Sequence, residues 1–268
     1  MALLQQGIAE FQKFTPQGNQ LSEELLLKAH KRSPESWAVL VNLGWATWYK
    51  GWATWYKVIF GQSENPGETF AKAREYATKS VEVNARNAYG YALLGWIDMY
   101  AGDHDAALKN ANRAVELSPN GGIATSVAGW VMSNSGHPEC GAELCGLACA
   151  PNLNYPDWIP FSLAASLMVM GQLDGAKELL LALNADASPT VRQWSQINLT
   201  VIAVWQGDID LARQYAAKSP AENPGTSIAM SRRYNSSIKD QAYLERIFEA
   251  LRRAGWPENP PPRPTASD

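Results

Sequence analysis

Apolar and small residues recur at helical spacing along residues 88–121. Leu93, Leu94 and Ile97 mark one stripe, and Ala106, Ala107, Ala111 and Ala114 mark a second. Between the stripes, Gly102 suits the positive φ that often ends a helix, Asp103 or Asp105 can cap the next one, and Pro119 stops it. The same text returns along the chain. Gly102, Gly136, Gly171 and Gly207 follow at steps of 34, 35 and 36 residues. Five positions after each stands Ala107, Gly141, Ala176 or Ala212. Seven positions before each stands Gly95, Gly129, Ala164 or Thr200. A period near 34 predicts paired helices that stack, because one pair cannot bury its own apolar face.

The pattern extends backwards as Ala73, Ala77 and Ser80, then as Ala29 and Pro34. Gly136 to Pro151 spans 15 residues against 17 from Gly102 to Pro119, so the second helix there is predicted to be shorter. Residues 257–268 carry five prolines in 12 residues and cannot be helical. Leu94, Gly95, Ala107, Ala114 and Pro119 resemble the tetratricopeptide repeat. That resemblance implies an all-α, right-handed superhelix (a solenoid) of about six helical hairpins. A capping helix is predicted near Ile238–Ala254. The expected division is one solenoid domain over 1–256 and a Pro-rich disordered tail or linker over 257–268.

A tandem duplication interrupts the period: GWATWYK at Gly44–Lys50 is repeated at Gly51–Lys57. Seven residues make two helical turns with a lag of roughly 20°, so the insertion lengthens a helix without turning its faces. The helix is predicted from about Pro34 to Phe60, roughly 40 Å long. It should outrun a partner near Glu68–Asn84 by several turns. Trp45, Trp48, Trp52 and Trp55, extended to Ile59, form a heptad seam. Three readings of Trp48, Trp52, Trp55 and Ile59 stand: packing on neighbouring repeats, a self-association or partner seam, or, least favoured, a membrane-surface contact. A spanning helix is disfavoured by Lys50 near its middle.

Gly–Trp recurs at Gly44–Trp45, Gly95–Trp96 and Gly129–Trp130. The repeat resemblance places the residue after that glycine on the groove side of the first helix. The implied groove wall holds Trp45, Trp96, Met99, Tyr100, Trp130, Trp158, Phe161, Trp194 and Trp205, with inter-repeat core as the alternative for any one of them. Such a wall suits an apolar peptide or amphipathic helix. A Lys/Asn carboxylate clamp is not expected, since Ala92 and Trp96 stand at the matching positions.

Cys140, Cys145 and Cys149, with His137, show no Cys-x-x-Cys knuckle, and Cys140 and Cys145 lie about 140° apart around a helix. Cysteine in place of alanine at tight packing is the favoured reading, and neither metal nor cofactor is expected. No phosphate loop, zinc-protease motif or nucleophile elbow occurs, so the chain reads as a non-enzyme. A net charge of −3 gives no support for nucleic-acid binding. The first residues lack the basic start and cleavage site of a signal peptide, and an odd set of clustered thiols fits a reducing compartment, so a cytoplasmic chain is expected.

The two ends carry a second resemblance. Phe14, Thr15, Pro16, Ala29 and Pro34 at the start, and Ala250, Leu251, Arg252, Arg253, Ala254, Gly255, Trp256 and Pro257 at the close, resemble helical-repeat regions attached to bacterial class III adenylate cyclases and related signalling proteins. Pro156–Trp158 and Gly171–Ala176 also match. This resemblance implies a regulatory or scaffolding module that binds a protein or peptide. The alternative is a structural self-assembling module that forms homo-oligomers through the Trp-rich helix.

Overall fold

The computed structural model describes residues 2–13, 15–59, 66–120, 122–149, 155–222 and 226–260, with the side chains of 52–59, 66, 184–186, 189 and 219–222 outside that description. The described residues are helical, with no strand. They divide into two compact units, Met1–Met132 with Leu153–Pro156 and Ser133–Asn152 with Asp157–Asp268. The first unit holds α1 (Ala2–Phe11), α2 (Pro16–Arg32), α3 (Trp37–Ile59), α4 (Pro66–Val83), α5 (Ala88–Tyr100), α6 (His104–Leu117) and most of α7 (Ile123–Asn134). The second holds the end of α7, then α8 (Pro138–Ala148), α9 (Trp158–Val169), α10 (Leu173–Asp186), α11 (Pro189–Trp205), α12 (Ile209–Glu222), α13 (Ile228–Tyr234) and α14 (Gln241–Arg253). Successive helices pack as hairpins: α1 with α2, α3 with α4, α5 with α6, α9 with α10, α11 with α12 and α13 with α14. This is the all-α hairpin solenoid predicted from the period, closed by α14 where a capping helix was expected.

Local chemistry accounts for the hairpins. Gly102, Gly136, Gly171 and Gly207 all have positive φ, between 75° and 100°. At the first of them the helix ends with the Asp103 N–H donating to the Asp98 carbonyl at 3.0 Å, the bond pattern of a left-handed helix stop. Asp103 then starts α6 by accepting the Ala106 N–H at 3.0 Å, and Asp208 does the same for α12 through Leu211. Ala73, Ala77, Ala107, Ala111, Ala114, Ala176 and Ala212 have no exposed surface. A Cβ added to Gly95 would lie 3.0 Å from the Ala107 carbonyl oxygen, so α5 and α6 meet nearly backbone to backbone. The shortened repeat is real: α8 has 11 residues against 14 in α6.

The duplicated heptad lies inside α3, which runs 23 residues where α5 runs 13. It begins at Trp37 rather than near Pro34. Its partner α4 starts at Pro66 and runs 18 residues, so α3 is only five residues longer, and the expected overhang of several turns is not found. The phase argument holds at the glycines. Gly44 faces the α4 backbone at Ala73 and Ala77, while Gly51 faces Phe70 and Thr69 one step further towards the start of α4. The second copy thus turns its glycine to α4 on the same face as the first, but against the Phe70 ring and Thr69 methyl rather than against backbone.

One buried charge had no signal in the apolar pattern. Asp98 on α5 is 4% exposed. Its carboxylate accepts from Arg74 of α4 at 2.5 Å and from Asn110 of α6 at 2.8 Å. It therefore ties three consecutive helices together. The C-terminal end differs from expectation as well. Trp256 is buried, and the carbonyls of Pro257 and Glu258 accept backbone N–H groups of α13, so the first two residues assigned to the tail belong to the folded unit. Residues 261–268 lie outside the described residues.

Asp98→Ala is expected to cost about 2 kcal/mol, since it strands Asn110 while half-exposed Arg74 can return to water. Urea denaturation checks this, and an unchanged midpoint would refute the three-helix tie. Deletion of Gly51–Lys57 is expected to leave a cooperative chain within about 2 kcal/mol of the parent, because it removes two whole turns in phase. Thermal melts of the two forms decide it. Loss of a cooperative transition would show that the second copy is integral to the core.

Candidate functional site

The Gly–Trp pairs of the first unit bring their indoles into one row. Gly44 and Gly95 sit at helix crossings, so Trp45 and Trp96 lie about 100° round the helix, beside the crossing rather than in it. Trp45 on α3 meets Trp96 on α5 edge to face at 6.0 Å. Trp96 in turn stacks on Trp130 of α7 at 6.3 Å. Tyr89 stacks on Trp45 at 5.2 Å, and Tyr100 leans on Trp96 at 5.8 Å. These separations fall in the range where offset and edge-to-face ring pairs add stability beyond their buried area.

Burial grades the row. Trp96, Tyr100 and Trp130 are half-buried and present an edge, while Trp45 is 7% exposed and backs it. Met99, expected on the wall, has no exposed surface and belongs to the core. Its position three residues after Trp96 turns it away from the edge by about 60°. Trp48, expected in the exposed seam, is also buried. It lies 4.5 Å from the Phe70 ring of α4 and 5.4 Å from Tyr100 of α5. The side chains of Trp52, Trp55 and Ile59 lie outside the described residues.

The second unit has two aromatic groups. Phe161 of α9 lies 5.5 Å from Trp194 of α11, and Tyr234 of α13 covers Trp194 edge to face at 5.9 Å. Trp158 is half-buried at the first position of α9. Trp205, expected on the same wall, belongs instead to the cap: it meets Tyr243 of α14 at 5.8 Å and lies under the Arg246 guanidinium at 4.9 Å. Tyr234 and Tyr243, which complete both groups, were not anticipated. Tyr243 sits on the apolar stripe of α14 with Leu244, Ile247, Phe248 and Leu251, a pattern that could have shown it. The phenols of Tyr89, Tyr234 and Tyr243 are pushed well above the usual range by burial, so all three stay neutral.

The cysteines line α8 as expected from the helix. Cys140 is exposed, Cys149 is half-buried at the C-cap, and Cys145 is buried. Burial pushes the Cys145 thiol up to about 12 and raises Cys149 as well, which favours the inert thiol over the thiolate. Among the described residues no three His, Cys, Asp or Glu side chains are placed to hold a metal ion. None of the described helices is long and apolar enough to cross a membrane.

Comparison with solved structures supports the fold. PilF of Pseudomonas aeruginosa aligns with TM-score 0.54 and 17% identity over 84% of this chain and 92% of its own. PilW, described as a widely conserved type IV pilus biogenesis factor, aligns with TM-score 0.53 and 15% identity over 70% and 87%. A chain of the Cut9–Hcn1 hetero-tetramer of APC/C aligns with TM-score 0.59 and 13% identity over 87% of this chain and 40% of its own. At these identities the likeness is one of fold. No family model matches the sequence, and no curated protein sequence does.

The thiol burial has a direct consequence. Iodoacetamide at pH 8 is expected to label Cys140 rapidly and Cys145 only after unfolding, because the Cys145 thiolate is scarce and shielded. Peptide mass spectrometry after timed labelling checks the order. Equal labelling of the two in the native chain would contradict the packing of α8.

Proposed function

We propose that this chain is a non-catalytic protein-binding module. Its contact edge is Trp96, Tyr100 and Trp130, backed by Trp45, and its ligand is an apolar peptide or amphipathic helix. The observation that carries this is the unbroken ring-to-ring row on α3, α5 and α7, part of which remains exposed. Large rigid aromatics give contact area at low entropic cost and dominate protein interfaces. The fold favours the same reading, since stacked hairpins display successive first helices side by side as an extended binding surface. The resemblance of the two chain ends to cyclase-attached repeat regions supports reading the module as a regulatory or scaffolding part in bacterial signalling, and a cytoplasmic setting would suit its clustered thiols.

Self-assembly is the second reading. The observation favouring it is the length of α3, ten residues beyond α5, which prolongs a Trp-bearing helix past the end of its neighbour. It would act through Trp52, Trp55 and Ile59, since Trp48 is occupied by Phe70 and Tyr100. Sedimentation at rising concentration separates the two: an adaptor stays monomeric.

Trp96→Ala and Trp130→Ala are each expected to weaken binding of a fluorescent Leu-rich amphipathic helical peptide by about 2 kcal/mol, roughly thirtyfold. Fluorescence anisotropy gives the affinities and circular dichroism monitors folding. Full affinity in a folded double variant would sink the proposal.

A further inference from the structure

In a plain solenoid each repeat touches only its neighbours. The second unit breaks that rule once. The Lys239 N–H, in the turn after α13, donates to the carbonyl of Asn134, the last residue of α7, at 2.8 Å. Two complete hairpins, α9 with α10 and α11 with α12, lie between these residues in the chain. The ends that meet there are buried: Ser133, Asn134 and Ser135 on one side and Ser237 on the other are all below 8% exposure.

The segment that makes this reach is unlike the other first helices. α13 has seven residues, against 12 in α9 and 17 in α11. It is held at both ends by backbone bonds and ring contacts, and along its length against α14, where Arg232 pairs with Glu245 at 2.8 Å and lies over the Phe248 ring at 4.2 Å. At its start, the Ile228 and Ala229 N–H groups donate to the carbonyls of Pro257 and Glu258, both at 2.9 Å. That strap is itself anchored by buried Trp256 and by Arg252 Nε on Glu258 at 2.6 Å. At its last residue, the Tyr234 ring meets Trp194 edge to face, and Trp194 leans at 43° on Phe161. Beyond it comes the Lys239–Asn134 bond.

We infer that residues 228–239 are an intramolecular ligand of the second unit's aromatic row, a short helix of this chain that occupies Trp194 and Phe161 in place of a partner. A seven-residue helix is too short to hold itself, so its seat depends on the strap at Pro257–Glu258, on the tie at Asn134 and on the Arg232 contacts with Glu245 and Phe248 of α14. Such a segment belongs to the low-stability end of a fold and opens before the hairpins beneath it. When it leaves, Trp194 offers the ring that Tyr234 now covers to a partner helix bearing an aromatic or other large apolar side chain. The module would then bind constitutively through the first unit's edge and conditionally through the second. This extends the reading of aromatic rows as partner contacts. Its failure is separable from the failure of that reading, which is scored on Trp96 and Trp130.

Hydrogen exchange on the full chain, read by NMR and by mass spectrometry, tests the inference. In the native protein the Ile228, Ala229 and Lys239 amides should exchange at least about tenfold slower than an open chain, although helix starts and turns ordinarily exchange fast. Tyr234→Ala should raise exchange across 228–239 and around Trp194, leave α10 and α12 at their native rates, and increase binding of the dye ANS. Trp256→Ala, which loosens the strap from its far side, should do the same. Open-chain exchange at those three amides in the native protein overturns the inference. So does loosening of α9–α12 to the same extent in both variants, including outright unfolding, because 228–239 would then be core and not a removable occupant.

Discussion

The α3–α4 and α5–α6 hairpins depend on a glycine of one helix lying against the backbone of the next. Gly44 against Ala73 and Ala77, and Gly95 against Ala107 and Ala111, are the same crossing made twice, with alanines completely buried on the far side. A larger residue would push the helices apart by the width of a side chain, and the indoles beside the crossing would lose their register. Close approach therefore does two jobs. It packs each pair, and it sets Trp45 and Trp96 at ring-contact distance from one repeat to the next. Dispersion between rings falls off within an ångström or so of optimal separation, so the contact of Trp45 with Trp96 depends on the glycines that precede them.

The same constraint explains why a seven-residue duplication can sit inside a repeat protein. A heptad returns to nearly the same face, so the inserted Gly51 turns to α4 as Gly44 does, but against the Phe70 and Thr69 side chains. An insertion of five or six residues would have rotated a tryptophan into the crossing. The absorbed length appears at the N-terminus of α4, which begins four residues earlier relative to its alanines than α6 does, at Pro66 rather than at the position matching His104. Both helices grew, and Trp48 found a lid in Phe70 instead of facing solvent.

Features set by local chemistry were legible in the amino-acid sequence. The turn glycines, the Asp103 cap, the buried alanine ladder, the short α8 and the capping helix all follow from residues within one turn of the feature. The meeting of Trp45, Trp96 and Trp130 followed from their equal offset in the repeat. What escaped depends on partners distant in the chain. Asp98 looks like a surface carboxylate in an apolar helix until Arg74 and Asn110 are placed beside it. Met99 has the composition of a groove wall and Trp48 that of an exposed seam, but both have the angular position of core. Pro66 could have been read as a helix start, since proline is favoured at the first helical position, yet the duplicated heptad drew the boundary of α4 too late.

The two units show two ways of finishing an aromatic face. In the first, the rings of Trp96, Tyr100 and Trp130 partly cover one another and leave an edge. In the second, the chain supplies its own cover: Tyr234 on Trp194, and Tyr243 with Arg246 on Trp205. The covers differ in how they are held. α14 is amphipathic over 13 residues and buries Tyr243, Leu244, Ile247, Phe248 and Leu251, so its cover is as stable as a core helix. α13 buries Ile228, Met230 and Ser231 and borrows its remaining order from Pro257, Glu258, Asn134 and the Glu245 and Phe248 side chains that hold Arg232. A cap at Trp205 built on a 13-residue amphipathic helix and a cover at Trp194 built on a seven-residue one are different devices, and on our inference loss of the second would leave the α9–α10 and α11–α12 hairpins intact. That asymmetry is why the inference falls on Trp194 rather than on Trp205.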